Sequence, residues 1–141
     1  MKPNLESFNK AFFSDFYGTT DTRLVQSIYT ILTSPANIYT WYELWRHPML
    51  PFMPTVTPKN HSPVIMDRLQ SIKSSMPLVL DLVNQVEGVV RFNKDHLRSL
   101  AFVARLNLWF AAKVETEERV KELSRWAPAS QSKDSIVSAI I

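Results

Sequence analysis

A chain of 141 residues is most simply one domain, and 45% hydrophobic with 21% charged residues is a globular composition. Only two glycines occur, whereas tight β-hairpins need glycine or Asn-Gly pairs for positive φ, so the composition favours helices over sheets. The formal net charge of +3 is compatible with a polyanionic partner, and the absence of cysteine excludes disulfides, thiolate chemistry and cysteine-bound metals.

Two short amphipathic helices are predicted at the start of the chain. The first begins at about residue 4 and ends at Gly18 as its C-cap. Its hydrophobic residues recur at three- and four-residue steps: Leu5, Phe8, Phe12 and Phe16. Thr20 or Asp21 can cap the second helix. The apolar face of that helix consists of Leu24, Val25, Ile28, Ile31 and Leu32.

A third helix is predicted over residues 35–46, with Ser34 as N-cap and Pro35 in its first turn. His47 and Pro48 end it. Apolar residues cover nearly its whole circumference: Ile38, Tyr39, Trp41, Tyr42, Leu44 and Trp45. Such a helix must be covered on most sides. Its aromatic residues are therefore either an ordinary core or interface anchors, with an aromatic-lined ligand pocket as a further alternative.

Residues 48–62 carry a proline at every third or fourth position and are predicted to form an extended arm. Each proline fixes φ and removes a hydrogen-bond donor, which excludes a helix. A structureless connection of this length is uncommon in compact domains and usually has a function or is disordered. Its apolar residues argue against a merely solvated linker: Met49, Leu50, Phe52, Met53 and Val56.

The second half of the chain is predicted to be helical as far as Trp126. Ser62 and Pro63 open a helix in which Pro77 makes a kink or a restart. Asn93 either caps a new helix or lies inside one long helix. The core stripe that follows consists of Leu97, Leu100, Ala104, Leu108 and Ala111.

Cationic and aromatic residues alternate along another face of the helix near residue 100. Taking 100° per residue, a set of five falls within an arc of roughly 80°: Arg98, Phe102, Arg105, Trp109 and Lys113. Arg91 and Lys94 join this arc if the helix runs through Asn93 without a break. The pattern suits a phosphate backbone with stackable bases, and it then predicts an exposed stripe whose arginines lack carboxylate partners. The alternative is a packed surface, along which the arginine stems lie while the aromatic rings fill a neighbouring groove.

A charge-poor stretch between Arg23 and Asp67 predicts a surface for a protein partner, because it contains only Glu43, Arg46 and Lys59 as charged residues. The candidate interface residues come from the third helix, the arm and the apolar end of the tail: Tyr39, Trp41, Tyr42, Trp45, Met49, Leu50, Phe52, Met53, Val56, Ile140 and Ile141. Burial of such surface is typical of obligate interfaces, which resemble a domain core cut in half.

No pattern in the sequence is typical of an enzyme. His47, His61 and His96 lie far apart, and none has the HxxxH or HExxH spacing of metal ligands. Two glycines provide no phosphate-binding loop. We therefore predict no catalytic residues, no metal, no cofactor and no small-molecule substrate.

The N-terminal residues lack the apolar core of a secretory signal, and residues 24–42 are too polar to favour a membrane span. We therefore expect an intracellular or virion-associated protein without integral membrane insertion. A third interpretation, attachment to a membrane surface, is disfavoured because the basic residues do not flank a wide apolar face.

The fold predicted from the sequence is all-α: a single-domain bundle over residues 1–141 with five to seven helices and an extended proline-rich arm at about 48–62. N-terminal helices occupy residues 1–47, C-terminal helices 63–127 and a tail 128–141. The function predicted is that of a non-enzymatic structural or assembly subunit, which docks into other copies of itself or a larger complex. The alternative is a nucleocapsid or filament coat protein that contacts nucleic-acid phosphates without reading sequence.

Overall fold

The computed structural model describes residues 4–40 and 63–126, and this part of the chain contains four α-helices and no β-strand. The helices are α1 (Leu5–Tyr17), α2 (Arg23–Thr33), α3 (Pro63–Glu87) and α4 (Lys94–Trp126). The all-α fold class is therefore confirmed. The total of five to seven helices and the arm at about 48–62 depend on residues outside the described ranges.

Local side-chain chemistry defines both ends of α1. The Asn4 side-chain oxygen accepts hydrogen bonds from the main-chain N–H groups of Glu6 and Ser7, at 3.1 and 3.4 Å. Gly18 has φ of 62°, the left-handed conformation that glycine adopts without strain, and its N–H bonds to the carbonyl of Ser14. A Cβ at Gly18 would lie 2.6 Å from the ring of Phe92. The predicted glycine C-cap is confirmed, and close packing as well as φ requires the glycine.

Asp21 organises the start of α2. Its carboxylate accepts hydrogen bonds from the main-chain N–H of Arg23 at 3.1 Å and from the guanidinium of the same residue at 3.0 and 2.9 Å. These bonds, the guanidinium ones foremost, lower the pKa of Asp21 to about 2. The helix then buries three residues of its predicted apolar face against the core: Val25, Ile28 and Leu32.

The prediction of a helix over residues 35–46 is wrong for residues 35–40, the part that the structure describes. Residues 35–37 form a turn, and residues 38–40 have no regular secondary structure. The Asn37 side chain donates to the carbonyl of Ile31 at 3.1 Å, a local bond of the kind that competes with helix formation. The main-chain N–H of Tyr39 donates to the side-chain oxygen of Asn107 at 2.7 Å, so α4 supplies its partner. Residues 41–46 lie outside the described ranges.

Pro77 neither ends nor restarts α3, which is one helix of 25 residues. The break comes later, at Asn93, whose φ of 56° places it in the left-handed region directly before α4. Its carbonyl accepts from the N–H groups of His96 and Leu97, and its side-chain nitrogen donates to the carbonyl of Phe16 at 2.6 Å. Asn93 therefore separates two helices and fastens their connection to α1.

The core lies where α3 packs against both α2 and α4, with α1 packed on α2. Of the stripe predicted on α4, Leu97, Ala104 and Ala111 are buried, whereas Leu100 and Leu108 are half-buried. The largest fully buried hydrophobic side chains are Tyr17, Phe110, Ile28, Ile72 and Met76. An ion pair between Lys73 of α3 and Glu115 of α4, at 2.8 Å, lies at the exposed edge of this contact. Such exposed pairs contribute little, so apolar burial holds the two long helices together.

Candidate interaction surfaces

The first two turns of α1 stand largely clear of the rest of the described structure. Residues 5–12 include no buried side chain, and the first buried residue of the helix is Phe13. Leu5, Phe8 and Phe12 are 70%, 63% and 44% exposed. We call these three residues the α1 face. The periodicity that predicts this helix does not by itself distinguish a face turned to the core from one turned to solvent, and here most of the face is turned to solvent.

The phenylalanine rings along α1 stack on one another. The Phe8 and Phe12 ring centroids are 6.3 Å apart with an interplanar angle of 11°, and those of Phe12 and Phe16 are 5.4 Å apart at 15°. The rings of Phe16 and His96 are nearly perpendicular, with their centroids 5.4 Å apart. The row is thus anchored to α4 at its inner end and exposed at its outer end. Stacking gives the rings a defined arrangement before any partner is present.

The second exposed aromatic surface is the stripe predicted on α4, formed by Arg98, Phe102, Arg105, Trp109 and Lys113, which we call the α4 stripe. Phe102 and Trp109 are 62% and 49% exposed. Arg105 between them is exposed, and no carboxylate of the described residues pairs with it. This part of the α4 stripe therefore presents a cation between two rings.

The two ends of the α4 stripe differ from its centre. Arg98 forms ion pairs with Glu87 at 3.2 Å and with Asp95 at 2.8 Å, and Lys113 pairs with Glu117. Arg91 lies in the connection before α4, because Asn93 breaks the helix. Lys94 is the first residue of α4. Of the three cations of the α4 stripe, Arg105 is thus the one without a carboxylate partner among the described residues.

Of the predicted interface residues, only Tyr39 lies in the described ranges, and it is 2% exposed. Its ring packs edge-on against Phe110, with centroids 4.7 Å apart, and the guanidinium of Arg68 lies 5.4 Å from the ring centroid. Tyr39 is therefore a core residue here. The others lie outside the described residues: Trp41, Tyr42, Trp45, Met49, Leu50, Phe52, Met53, Val56, Ile140 and Ile141.

Three ring side chains from three helices share hydrogen bonds near the start of α4. The Tyr17 hydroxyl lies 2.9 Å from the Tyr29 hydroxyl and 2.8 Å from Nδ1 of His96. Burial, and secondarily the bond with Tyr29, raises the pKa of Tyr17 well above its ordinary value. A buried hydroxyl that holds its proton so firmly is a poor nucleophile or base. The hydrogen bonds of this cluster join α1, α2 and α4.

An open cavity of about 490 Å³ lies between the α1–α2 connection and the α3–α4 connection. Its charged lining residues are Asp21 and Arg91, of which Asp21 is already bound to Arg23. The remaining polar side chains of the lining are the hydroxyls of Ser14, Thr19 and Thr20, and the Thr19 hydroxyl already donates to the carbonyl of Asp21.

Two further observations concern the described residues alone. No group of three or more histidine, aspartate or glutamate side chains among them is arranged to hold a metal ion. None of their helices combines the length and the apolar character that crossing a bilayer requires.

Comparison with known proteins finds no match for this chain among protein-family models, curated proteins or solved structures. Function must therefore be inferred from the two exposed aromatic surfaces.

Proposed function

We propose that this protein is a non-enzymatic assembly subunit that associates with other protein chains through exposed aromatic side chains. The observation that carries this proposal is the α1 face, where Leu5, Phe8 and Phe12 extend along a helix whose first two turns bury nothing. Contiguous exposed apolar surface on a soluble domain is typical of an interaction site. Tyr39, by contrast, is buried in the core and therefore gives no support to the proposed interface.

The spacing of the α1 face supports the same proposal. Leu5, Phe8 and Phe12 occupy positions i, i+3 and i+7, which is the anchor pattern of an amphipathic helix that binds an apolar partner surface. A helix of two turns is marginal in water when nothing packs against it. Binding would therefore both bury the three side chains and stabilise the helix that presents them.

The extended arm at about 48–62 remains part of this proposal as a second docking element, as does a bundle of five to seven helices for the entire chain. Both are supported by the proline spacing and by the apolar periodicity of the sequence. The apolar end of the tail, Ile140 and Ile141, is proposed as a third contact.

Light scattering after size-exclusion chromatography tests the proposal. The wild-type chain should increase in mean mass as its concentration rises, and the double substitution Leu5→Ser with Phe12→Ser should reduce that increase. Lys10→Gln is the matched control, because Lys10 lies on the same helix, two residues from both Phe8 and Phe12 and hence on the opposite side. A wild-type chain that remains a monomer throughout would contradict association with itself.

A second candidate function is nucleic-acid binding without sequence readout, for which the exposed centre of the α4 stripe is the supporting observation. A cation between two exposed rings can contact a phosphate while bases stack beside it. The carboxylate partners of Arg98 and Lys113 weaken this candidate, since they neutralise both ends of the stripe. We therefore place it second.

Fluorescence anisotropy with a labelled single-stranded oligonucleotide at two salt concentrations tests this candidate. Affinity should fall by roughly 0.7 log units per tenfold increase in salt for each phosphate contacted. Replacing Arg98 and Arg105 by glutamine should weaken binding, and unchanged binding by that double variant excludes the α4 stripe as the nucleic-acid site.

A further inference from the structure

We propose that the α1 face of one copy of this chain packs against the α4 stripe of a second copy. The inference rests on the proposed assembly function and specifies its geometry. It commits to a contact between two different surfaces, so that a pair of copies keeps one free α1 face and one free α4 stripe.

The two surfaces match in spacing. The α1 face occupies residues 5, 8 and 12, and the centre of the α4 stripe occupies residues 102, 105 and 109, so both follow i, i+3 and i+7. Each spans two helical turns, about 10.5 Å. Laid side by side in parallel, the helices bring Leu5 beside Phe102, Phe8 beside Arg105 and Phe12 beside Trp109. In the antiparallel direction the outer pairs also match, and Phe8 lies one residue, about 1.5 Å, from the level of Arg105. Side chains of equal spacing can interdigitate as ridges and grooves.

Arg105 gains a partner in this arrangement. Its guanidinium is exposed and has no carboxylate partner among the described residues, while the Phe8 ring is 63% exposed. An arginine over an aromatic face makes a cation–π interaction that strengthens when water is excluded. The central pair of the contact therefore joins the Arg105 guanidinium, which has no carboxylate partner among the described residues, to the largely exposed ring of Phe8.

The charges of the two helices also favour this pairing. Residues 5–17 carry Glu6 and Asp15 against Lys10, a net charge of −1. Arg98 and Lys113 of the α4 stripe already pair with carboxylates, so its uncompensated cation is Arg105 at the centre. Complementary charge steers encounter and orientation more than it adds affinity.

Pairing of like surfaces is less favourable. Two α4 stripes centred on each other would bring Arg105 against Arg105, and two α1 faces would leave the Phe8 rings without a cation, since Lys10 lies on the opposite side of the helix. The choice between the α1–α1 and α1–α4 contacts therefore follows from Arg105 and not from apolar area.

The size of the contact predicts weak, concentration-dependent assembly. On each helix, the three side chains range from half-exposed to largely exposed. Together they offer accessible surface on the order of 300 Å² per copy. A standard interface buries about 800 Å² per partner, so a single contact belongs to the weak class. Because the contact is head-to-tail, association forms a ring if the rotation between copies closes and an open filament if it does not.

Complementation of two assembly-defective variants tests the inference by sedimentation velocity. Phe8→Ser removes the centre of the α1 face, and Trp109→Ser removes part of the α4 stripe, with Arg105→Glu as a second α4 variant. Each variant alone should associate about tenfold more weakly than the wild type or worse. An equimolar mixture of an α1 variant and an α4 variant should form a dimer that does not grow, since it retains one intact surface of each kind.

Lys10→Gln should assemble as the wild type does, and circular dichroism should show native helix content in every variant. If the α4 variants assemble like the wild type, or if the wild type assembles while the mixture forms no dimer, the α1–α4 contact is wrong and the assembly function still stands. If the wild type does not associate at any concentration, self-assembly and this inference both fail.

Discussion

The side-chain oxygen of Asn107 accepts a hydrogen bond from the main-chain N–H of Tyr39 at 2.7 Å, between residues 68 positions apart in the sequence. Asn107 is 1% exposed, and its side-chain nitrogen donates to the carbonyl of Val103 at 2.9 Å. Both hydrogen-bonding groups of a buried amide are thus satisfied, as buried polar groups require. This pair holds the segment after α2 against α4 and explains why Tyr39 belongs to the core.

Asn107→Ala should destabilise the protein by about 1–3 kcal/mol, because it leaves the buried N–H of Tyr39 without an acceptor. The measurement is urea unfolding followed by circular dichroism. Asn84→Ala is the matched control, since Asn84 is exposed on α3, and its substitution should change the free energy of unfolding by less than about 0.5 kcal/mol. Equal effects of the two substitutions would contradict a structural role for Asn107.

Phe110 and Trp109 are adjacent in sequence and should respond differently to truncation. Phe110 is fully buried against Tyr39, so Phe110→Ala should cost about 3–5 kcal/mol in unfolding free energy. Trp109 is 49% exposed, and Trp109→Ala should cost much less. Denaturant unfolding of both variants checks the prediction, and a larger loss for Trp109→Ala would mean that α4 is rotated from the orientation described.

Gly18→Ala should destabilise the protein for two separable reasons. The left-handed φ of 62° costs a non-glycine residue about 1–2 kcal/mol. The added Cβ would also lie 2.6 Å from the Phe92 ring, whose exposed side chain must then move. Combining Gly18→Ala with Phe92→Ala should recover the part due to the Phe92 ring and leave the φ part together with a 3.1 Å contact to the Cβ of Arg91.

A double-mutant cycle on thermal or urea unfolding measures that recovery as a coupling energy between the two sites. A coupling of zero would show that the Phe92 ring contributes nothing to the requirement for Gly18.

Alkaline pH should destabilise the fold through Tyr17. Its folded-state pKa is raised, mainly by burial, so the folded state keeps the hydroxyl protonated to higher pH than the unfolded chain does. The stabilisation is complete below the ordinary tyrosine pKa of about 10 and is lost as pH rises above it. The measurement is the urea unfolding midpoint of the wild type and of Tyr17→Phe as the pH rises above about 10. The midpoint should fall less in the phenylalanine variant. If the urea midpoint falls equally in both proteins, groups other than Tyr17 cause the loss of stability at alkaline pH.

Local chemistry explains which parts of the fold could be predicted from the sequence. The Gly18 C-cap and the buried face of α2 follow from residue type and periodicity within one or two turns. Periodicity also marks Leu5, Phe8 and Phe12 as one face of a helix. It could not show that this face is exposed, because exposure depends on how far α2 extends alongside α1.

Long-range contacts explain the error at residues 35–40. Proline after serine resembles a helix start, but Asn107 of α4 binds the main-chain N–H of Tyr39, which a helix over 35–46 would have used. Likewise, the ion pair of Arg98 with Glu87 could not be predicted, since it depends on how the connection between α3 and α4 places the two helices. The α4 stripe was predictable as a pattern, as were the i,i+3 pair with Asp95 and the i,i+4 pair with Glu117, and the partner on α3 was not.

Hydrogen–deuterium exchange of residues 5–12 at increasing protein concentration tests most directly whether the first half of α1 is a binding helix. None of the side chains of residues 5–12 is buried in the described structure, so their amides should exchange rapidly in dilute protein. We predict that exchange slows as concentration rises in the wild type and in Lys10→Gln, and stays fast in Phe8→Ser. Exchange of residues 5–12 that is equally fast at every concentration in all three proteins would contradict the account.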